Sequence, residues 1–229
     1  MFHFKYKFIS TIQEGSFGPV NLYKKRFGGK RVVVKKIMKC HFNPNEVVCL
    51  EKMRGVAGIQ QLNEIYKGRK SVKLVLDYYP GSDLFDRVKY EKYIKGSDCV
   101  YKLILSIAEC IRTCHEYGIS HNDIKMENFV FDEDGRLVLI DFGMSCFFGD
   151  NERKCKLGTS YYAPPEFAEG KFYKTSDVYS LGAVYGVLLD FIGGWTSGYE
   201  FFKRMVAENH SKRPTIDEVI AYVKRRKIT

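Results

Sequence analysis

The sequence predicts an α+β fold of two unequal lobes, a small antiparallel sheet carrying one helix and a larger, mainly helical part. Three observations carry that prediction. Residues 6 to 78 break into short alternating or apolar runs separated by turns. The character changes after Tyr79-Pro80-Gly81, and residues 98 to 117 then carry the unbroken apolar stripe of a long amphipathic helix. With 229 residues, 45% apolar and 15% aromatic, the chain has the material for a real core, which excludes fibrous, collagen-like and wholly disordered proteins.

Taken in order, Met1 to Lys7 alternates apolar and polar residues like a strand and lacks the long apolar core of a signal peptide. Strands are predicted near 6 to 13, 19 to 27, 31 to 38, 61 to 67 and 71 to 78. The one helix of this part starts near Asn45 and ends before Gly55; its apolar positions Val47, Leu50 and Met53 leave Glu46 and Lys52 on other faces. A short link containing Pro80 and Gly81 joins the lobes, so the junction is the place for a ligand cleft. Beyond it, Val100, Leu103, Ile104, Ile107, Ala108, Ile111 and Cys114 form the stripe of the long helix, with Ser97 or Asp98 available as its cap. A helix near 176 to 191 is apolar on nearly every side, and Gly182 and Gly186 in it signify close helix packing. A short helix near 199 to 208 follows. The last helix uses Ile216, Val219, Ile220 and Val223 after a Thr215/Glu218 capping box.

Lys and Arg number 37 against 27 Asp and Glu, and the net charge of +10 favours an acidic partner surface without naming one. The only dense cluster, Lys224-Arg225-Arg226-Lys227, reads first as a solvated helix end. Seven cysteines form an odd set with neither a CxxC pair nor zinc-ligand spacing, so reduced thiols in an intracellular protein of cytoplasm or nucleus are expected. No stretch reaches eighteen apolar residues without charge, and no membrane span is expected.

Four segments could do chemistry. In Gln13-Glu14-Gly15-Ser16-Phe17-Gly18-Pro19-Val20 the glycines would let a hairpin bring backbone N–H groups close to phosphates, although a plain hairpin turn explains them equally well. Lys35 ends the apolar run Val32-Val33-Val34. A buried ammonium needs a partner, which Glu46 supplies, unless Lys35 reaches solvent as Lys36 does. The stretch His121 to Asn128 is dense in polar groups, and Asp141-Phe142-Gly143 follows an apolar strand. Asp141 and Asn128 offer the oxygens that a hard cation such as Mg²⁺ requires. Asp123 remains as a base, and Lys125 neutralises charge moving between phosphate and acceptor.

These segments, in this order, resemble the eukaryotic-type protein kinase family over nearly the whole chain, in the serine/threonine branch and near the Pim and calcium/calmodulin-kinase groups. Farther matches are Gly158-Thr159, Pro164-Pro165-Glu166, Asp177 to Gly182 and Arg213-Pro214-Thr215. The resemblance implies a single kinase domain over 1–229, with an N-lobe at 1–78, a hinge at 79–82 and a C-lobe at 83–229. It implies ATP and Mg²⁺ as cofactors and transfer of the γ-phosphoryl group to serine or threonine hydroxyls of protein substrates. Lys35, Glu46, Asp123 and Lys125 then carry the chemistry, and Asn128 and Asp141 hold the metal. Gln13, Gly15, Ser16, Phe17, Gly18, Val20, Val33, Lys35, Leu76, Asp77, Tyr79 and Asp83 join the last two around the nucleotide. By the same resemblance His121 and Phe142 are structural, Asp177 caps the loop at 121–128, and Glu166 pairs with Arg213.

Three departures from the family pattern bear on function. Gln13 stands for the first loop glycine, which implies weaker nucleotide positioning. Asn122 replaces the arginine that receives an activation-loop phosphate, which implies constitutive activity, since an amide cannot clamp a phosphate. Only thirty residues separate Gly182 from Arg213, which implies a compact, viral or otherwise minimal kinase working in a host cell. Glu127 and Asp83 match acidic positions that read arginine upstream of the acceptor, so arginine-rich protein substrates are expected, with a monomeric enzyme and no requirement for nucleic acid. The alternative is a pseudokinase or decoy that binds a partner kinase, but a scaffold has no physical need of all six of Lys35, Glu46, Asp123, Lys125, Asn128 and Asp141.

Overall fold

The computed structural model describes residues 2–15, 18–91, 93–94, 96–149, 161–192 and 198–226. Ser16, Phe17, Cys155, Gly158, Thr159 and Lys227 lie outside the described residues. The N-lobe is a five-stranded antiparallel sheet of β1 (Tyr6–Gly15), β2 (Gly18–Lys25), β3 (Arg31–Met38), β4 (Leu62–Lys67) and β5 (Ser71–Asp77), in the order β1-β2-β3-β5-β4. The strands fall close to where their alternation predicts them.

The N-terminus does not. Phe2–Lys5 forms one helical turn, α1, because that turn buries Phe2 in an aromatic cluster on the outer face of the sheet, with Tyr6 and Tyr66 each at 5.1 Å and Tyr23 at 5.3 Å. Helix α2 (Pro44–Lys52) keeps Leu50 and Met53 on the predicted inner face, but Glu46, which the spacing places on another face, joins it. Glu46, Cys49, Leu50 and Met53 point inward at helical spacing, while Val47 is only half-buried. A carboxylate belongs to the buried stripe, and the reason lies in its partner Lys35.

The C-lobe is helical, as predicted. Its elements are α3 (Leu84–Tyr90), α4 (Ser97–Glu116), α5 (Lys174–Ile192), α6 (Tyr199–Met205) and α7 (Ile216–Arg226). Short hairpins add β6 (Ile119–Ser120) paired with β9 (Cys146–Phe147), and β7 (Phe129–Phe131) paired with β8 (Leu137–Leu139). All seven stripe residues of α4 are buried. Its N-cap is Gly96, without a side-chain cap, so neither Ser97 nor Asp98 takes the expected role; Ser97 is already helical. Helix α5 crosses the middle of the lobe, and at Gly182 an added Cβ would stand 2.8 Å from the Met205 Cβ, which accounts for that glycine by close packing on α6. The capping box at Thr215 forms, with the Thr215 N–H donating to Glu218 Oε2 at 2.7 Å. Helix α3 lies where the periodicity predicts nothing.

Candidate active site

Between the lobes lies a cleft of about 570 Å³, lined by Gln13, Gly18, Val20, Val33, Leu76 and Tyr79 together with the polar groups below. Its roof is the β1–β2 hairpin, where Gly15 and Gly18 face each other across the tip. Gly18 has φ +135°, and an added Cβ would collide with the Lys36 carbonyl. Packing on β3 therefore demands glycine there, independently of any phosphate.

Lys35 does not reach solvent. It is 7% exposed on β3, and its Nζ donates to Glu46 Oε1 and to Asp141 Oδ1, each at 2.7 Å. Burial alone would lower the lysine's pKa; the two carboxylates outweigh it and raise it. The carboxylates respond in opposite directions. Burial raises Glu46, whereas at Asp141 the Lys35 charge and the Gly143 N–H overcome burial and hold the carboxyl low. Asp141 opens toward the cleft, its side chain 38% exposed against 2% for Glu46.

The loop from His121 to Asn128 is held from beneath. Asp177, fully buried near the start of α5, accepts from the backbone N–H groups of His121 at 2.9 Å and Asn122 at 2.8 Å, and its second contact with Oδ2 is His115 Nε2 at 3.0 Å. His121 is also fully buried. Its Nδ1 accepts from the Asp123 N–H at 3.3 Å, so Nε2 carries the hydrogen and donates to the Ile140 carbonyl at 3.1 Å. Burial lowers its pKa, and the ring meets Phe142 edge to face at 4.8 Å. The imidazole is thus neutral and committed on both nitrogens.

Asp123 is only half free. Its Oδ2 accepts from Lys125 Nζ at 2.8 Å and Asn128 Nδ2 at 2.9 Å, while Oδ1 takes no hydrogen bond among the described residues. Burial opposes the charge on Lys125, but Asp123 outweighs it and raises the lysine's pKa. Asn128 Nδ2 also donates to the Asp123 carbonyl at 2.7 Å, so both amide hydrogens are used and only Oδ1 remains for a cation. Among the described residues no three His, Cys, Asp or Glu side chains group as metal ligands. Two oxygen donors, Asn128 and Asp141, suit Mg²⁺, which keeps waters and phosphate oxygens in its shell.

At the hinge the Asp77 carbonyl already accepts from Gln60 Nε2 at 3.1 Å, and its carboxylate meets Lys30 and Asn63, each at 2.8 Å. Asp83 first serves as the N-cap of α3, accepting from the Asp86 N–H at 2.8 Å. Burial raises its carboxyl, with Asp86 and Glu127 adding repulsion. Farther down, Arg213 grips buried Glu166 through two bonds of 2.6 and 2.7 Å, and Ser176 adds a third of 2.6 Å. Sequence reasoning missed Gln60, His115 and Asn43. Of these, only Asn43 announced itself, by preceding the Pro44 that opens a helix. A larger cavity of about 740 Å³ lies behind the hinge, against α4 and the β7–β8 turn, and holds none of Lys35, Asp123 or Asp141.

A two-lobed fold with a lysine bridging two carboxylates above an Asp-Lys-Asn cluster is the arrangement of a protein kinase domain. Comparison with known proteins agrees: residues 6–191 match the protein kinase domain model, and the chain belongs to that family. It is 29% identical over 211 residues to calcium-dependent protein kinase 22 of Arabidopsis thaliana, covering 85% of this chain and 42% of that protein. It is 31% identical over 201 residues to calcium-dependent protein kinase 4 of Plasmodium berghei (strain Anka), covering 82% and 38%. The chain thus spans about two fifths of the length of these relatives. The solved kinase PK-1 of Cydia pomonella granulovirus shares the fold, with a TM-score of 0.78, 24% identity, and coverage of 94% and 93%. Among the described residues no helix is long and apolar enough to cross a membrane.

Proposed function

We propose that the chain transfers the γ-phosphoryl group of ATP to serine or threonine hydroxyls of basic protein substrates, and does so without a phosphate on its own activation segment. The observation that carries the reading is Lys35, shared at 2.7 Å between Glu46 and Asp141, because that bridge couples the N-lobe to the metal-binding carboxylate. Lys35 would meet the α- and β-phosphates. Asp141 and Asn128 Oδ1 would hold Mg²⁺, which when bound draws charge from the triphosphate. Asp123 Oδ1 takes or orients the acceptor hydroxyl proton, and Lys125, kept protonated by Asp123, stands ready for the negative charge of the transferred group.

Three carboxylates on the cleft, Asp83, Asp86 and Glu127, support a preference for arginine-bearing substrates, since their mutual repulsion is relieved by a cation. Independence from phosphorylation is supported at Asn122, whose Nδ2 donates to the Met144 carbonyl at 3.2 Å and so fills with a neutral contact the place of a phosphate-binding arginine. The thirty residues between Gly182 and Arg213 support a minimal kinase of the viral kind, working inside a host cell.

The deciding experiment is transfer from radiolabelled ATP to a basic protein and an arginine-rich peptide, native chain against Asp123→Asn. Label on serine or threonine is expected, with a loss of at least ~100-fold in the variant, the usual worth of a positioned base. Equal transfer by both proteins would sink the mechanism. Loss of more than about nine tenths of native activity after phosphatase treatment would sink the constitutive reading.

A further inference from the structure

We propose that Asn43 is a positioning residue that ties helix α2 to the segment following Asp141, so that Asn43 and Asn122 together fix that segment in its working position without a phosphate. The inference rests on the kinase reading above and adds to it the device that keeps α2 against the segment following Asp141. Both ends of the Asn43 amide are engaged. Oδ1 accepts from the Asn45 N–H at 3.1 Å and caps α2, while Nδ2 donates to the Gly143 carbonyl at 2.9 Å and to the Ser145 carbonyl at 3.3 Å. The carbonyl between these two, that of Met144, is the one held by Asn122 Nδ2 at 3.2 Å. Three consecutive carbonyls are therefore held by two asparagine amides, one reaching down from the N-lobe and one up from the loop that carries Asp123.

The tie closes a ring. Asn43 caps the helix whose third residue is Glu46; Glu46 meets Lys35, Lys35 meets Asp141, and two residues after Asp141 stands Gly143, which returns to Asn43. Helix α2 cannot swing away from the cleft without breaking both the Lys35 bridge and the Asn43 tether. The tether matters because α2 has only nine residues and Glu46 lies in its first turn, the part of a helix that frays. A neutral amide also works at any phosphorylation state and is screened little by salt, unlike an arginine–phosphate contact.

Asn43→Asp separates the tether from the cap, because aspartate caps a helix as well as asparagine but offers no donor to Gly143 and Ser145. Asn43→Ser repeats the separation without adding charge. Hydrogen exchange of the full chain is expected to speed up about tenfold at residues 142–147 in both variants, the worth of one or two hydrogen bonds. In the phosphoryl-transfer assay kcat should fall by a similar factor while the KM for peptide stays within about twofold, the split that misplacement of the reacting groups produces. Native exchange at 142–147 in either variant overturns the proposal, and so does native kcat in Asn43→Ser. A native chain that transfers no phosphate defeats the kinase reading alone, since the exchange experiment still decides whether Asn43 holds the segment.

Discussion

A single ammonium on β3 faces two carboxylates, and their unequal exposure assigns them different work. Glu46, buried and raised, holds Lys35 from within; Asp141, lowered and open to the cleft, keeps a charged face there, which the proposed function gives to a cation. Glu46→Gln keeps the size and removes the charge, so Lys35 follows Asp141 and loses its fixed height above the cleft. Activity as kcat/KM for ATP should fall about 10- to 100-fold, with Tm altered little because Lys35 retains one charged partner. A kcat/KM within twofold of native would show that Asp141 alone positions the lysine. Lys35 was legible in the sequence because a lysine ending three valines must be either paired or exposed. The face of Glu46 was not legible. Apolar spacing selects Val47, and only a partner eleven residues earlier, across the sheet, makes burial of the acid favourable.

At the scale of elements, strands and long helices could be read, but single turns could not. Alternation and a seven-residue stripe repeat their signal many times, whereas α1 depends on one phenylalanine finding Tyr6, Tyr23 and Tyr66, and α3 on one Asp83 cap. The loop at 121–128 has no periodicity either; its shape comes from Asp177, more than fifty residues away, holding two of its N–H groups. His121 belongs to the same scaffold, and this gives the fold a pH dependence. Burial depresses its pKa below the ordinary 6.5, against the pull of Asp177, Asp123 and Asp141. The unfolded chain therefore binds this proton first, so the contribution is complete above about pH 6.5 and is lost as pH falls toward the lower folded value. The fall in Tm between pH 7.5 and 5.5 should be smaller in His121→Phe than in the native chain. An identical fall in both would show that the imidazole is not held neutral.

For the molecule as a whole, the distribution of charge removes an apparent conflict. Residues 1–40 hold ten Lys and Arg against one Glu, leaving 27 basic and 26 acidic residues in the remainder, so nine of the ten net positive charges belong to the segment of the first three strands and the rest of the chain is nearly neutral. With screening over roughly 8 Å at physiological salt, the proposed preference for basic substrates rests on the local carboxylates Asp83, Asp86 and Glu127 that line the cleft. The C-lobe is joined across distance in another way. Glu166 and Arg213, separated by 47 residues, bind through two parallel bonds, and the arginine reaches further to the carbonyls of Ala207 and Glu208 at 2.8 and 3.0 Å. Both residues were legible as a pair only through family resemblance, because nothing in local spacing links them. Arg213→Met would leave Glu166 buried and unmatched, which costs about 3–5 kcal/mol. At ~2–4 °C per kcal/mol for a chain of this size, Tm should drop by about 6–20 °C. Adding Glu166→Gln to that variant removes the stranded charge and should recover at least about half of the loss. Burial alone would raise Glu166, but Arg213 and Ser176 outweigh it and hold the carboxyl below 4.5. The contribution of the native pair is accordingly present above about pH 4.5 and lost as pH falls through the lower folded value, whereas the double variant has no such dependence. Thermal melts of the three proteins at pH 7 and pH 4 test this, and a single variant that melts with the native chain would mean that water has replaced the arginine and the joint is not sealed.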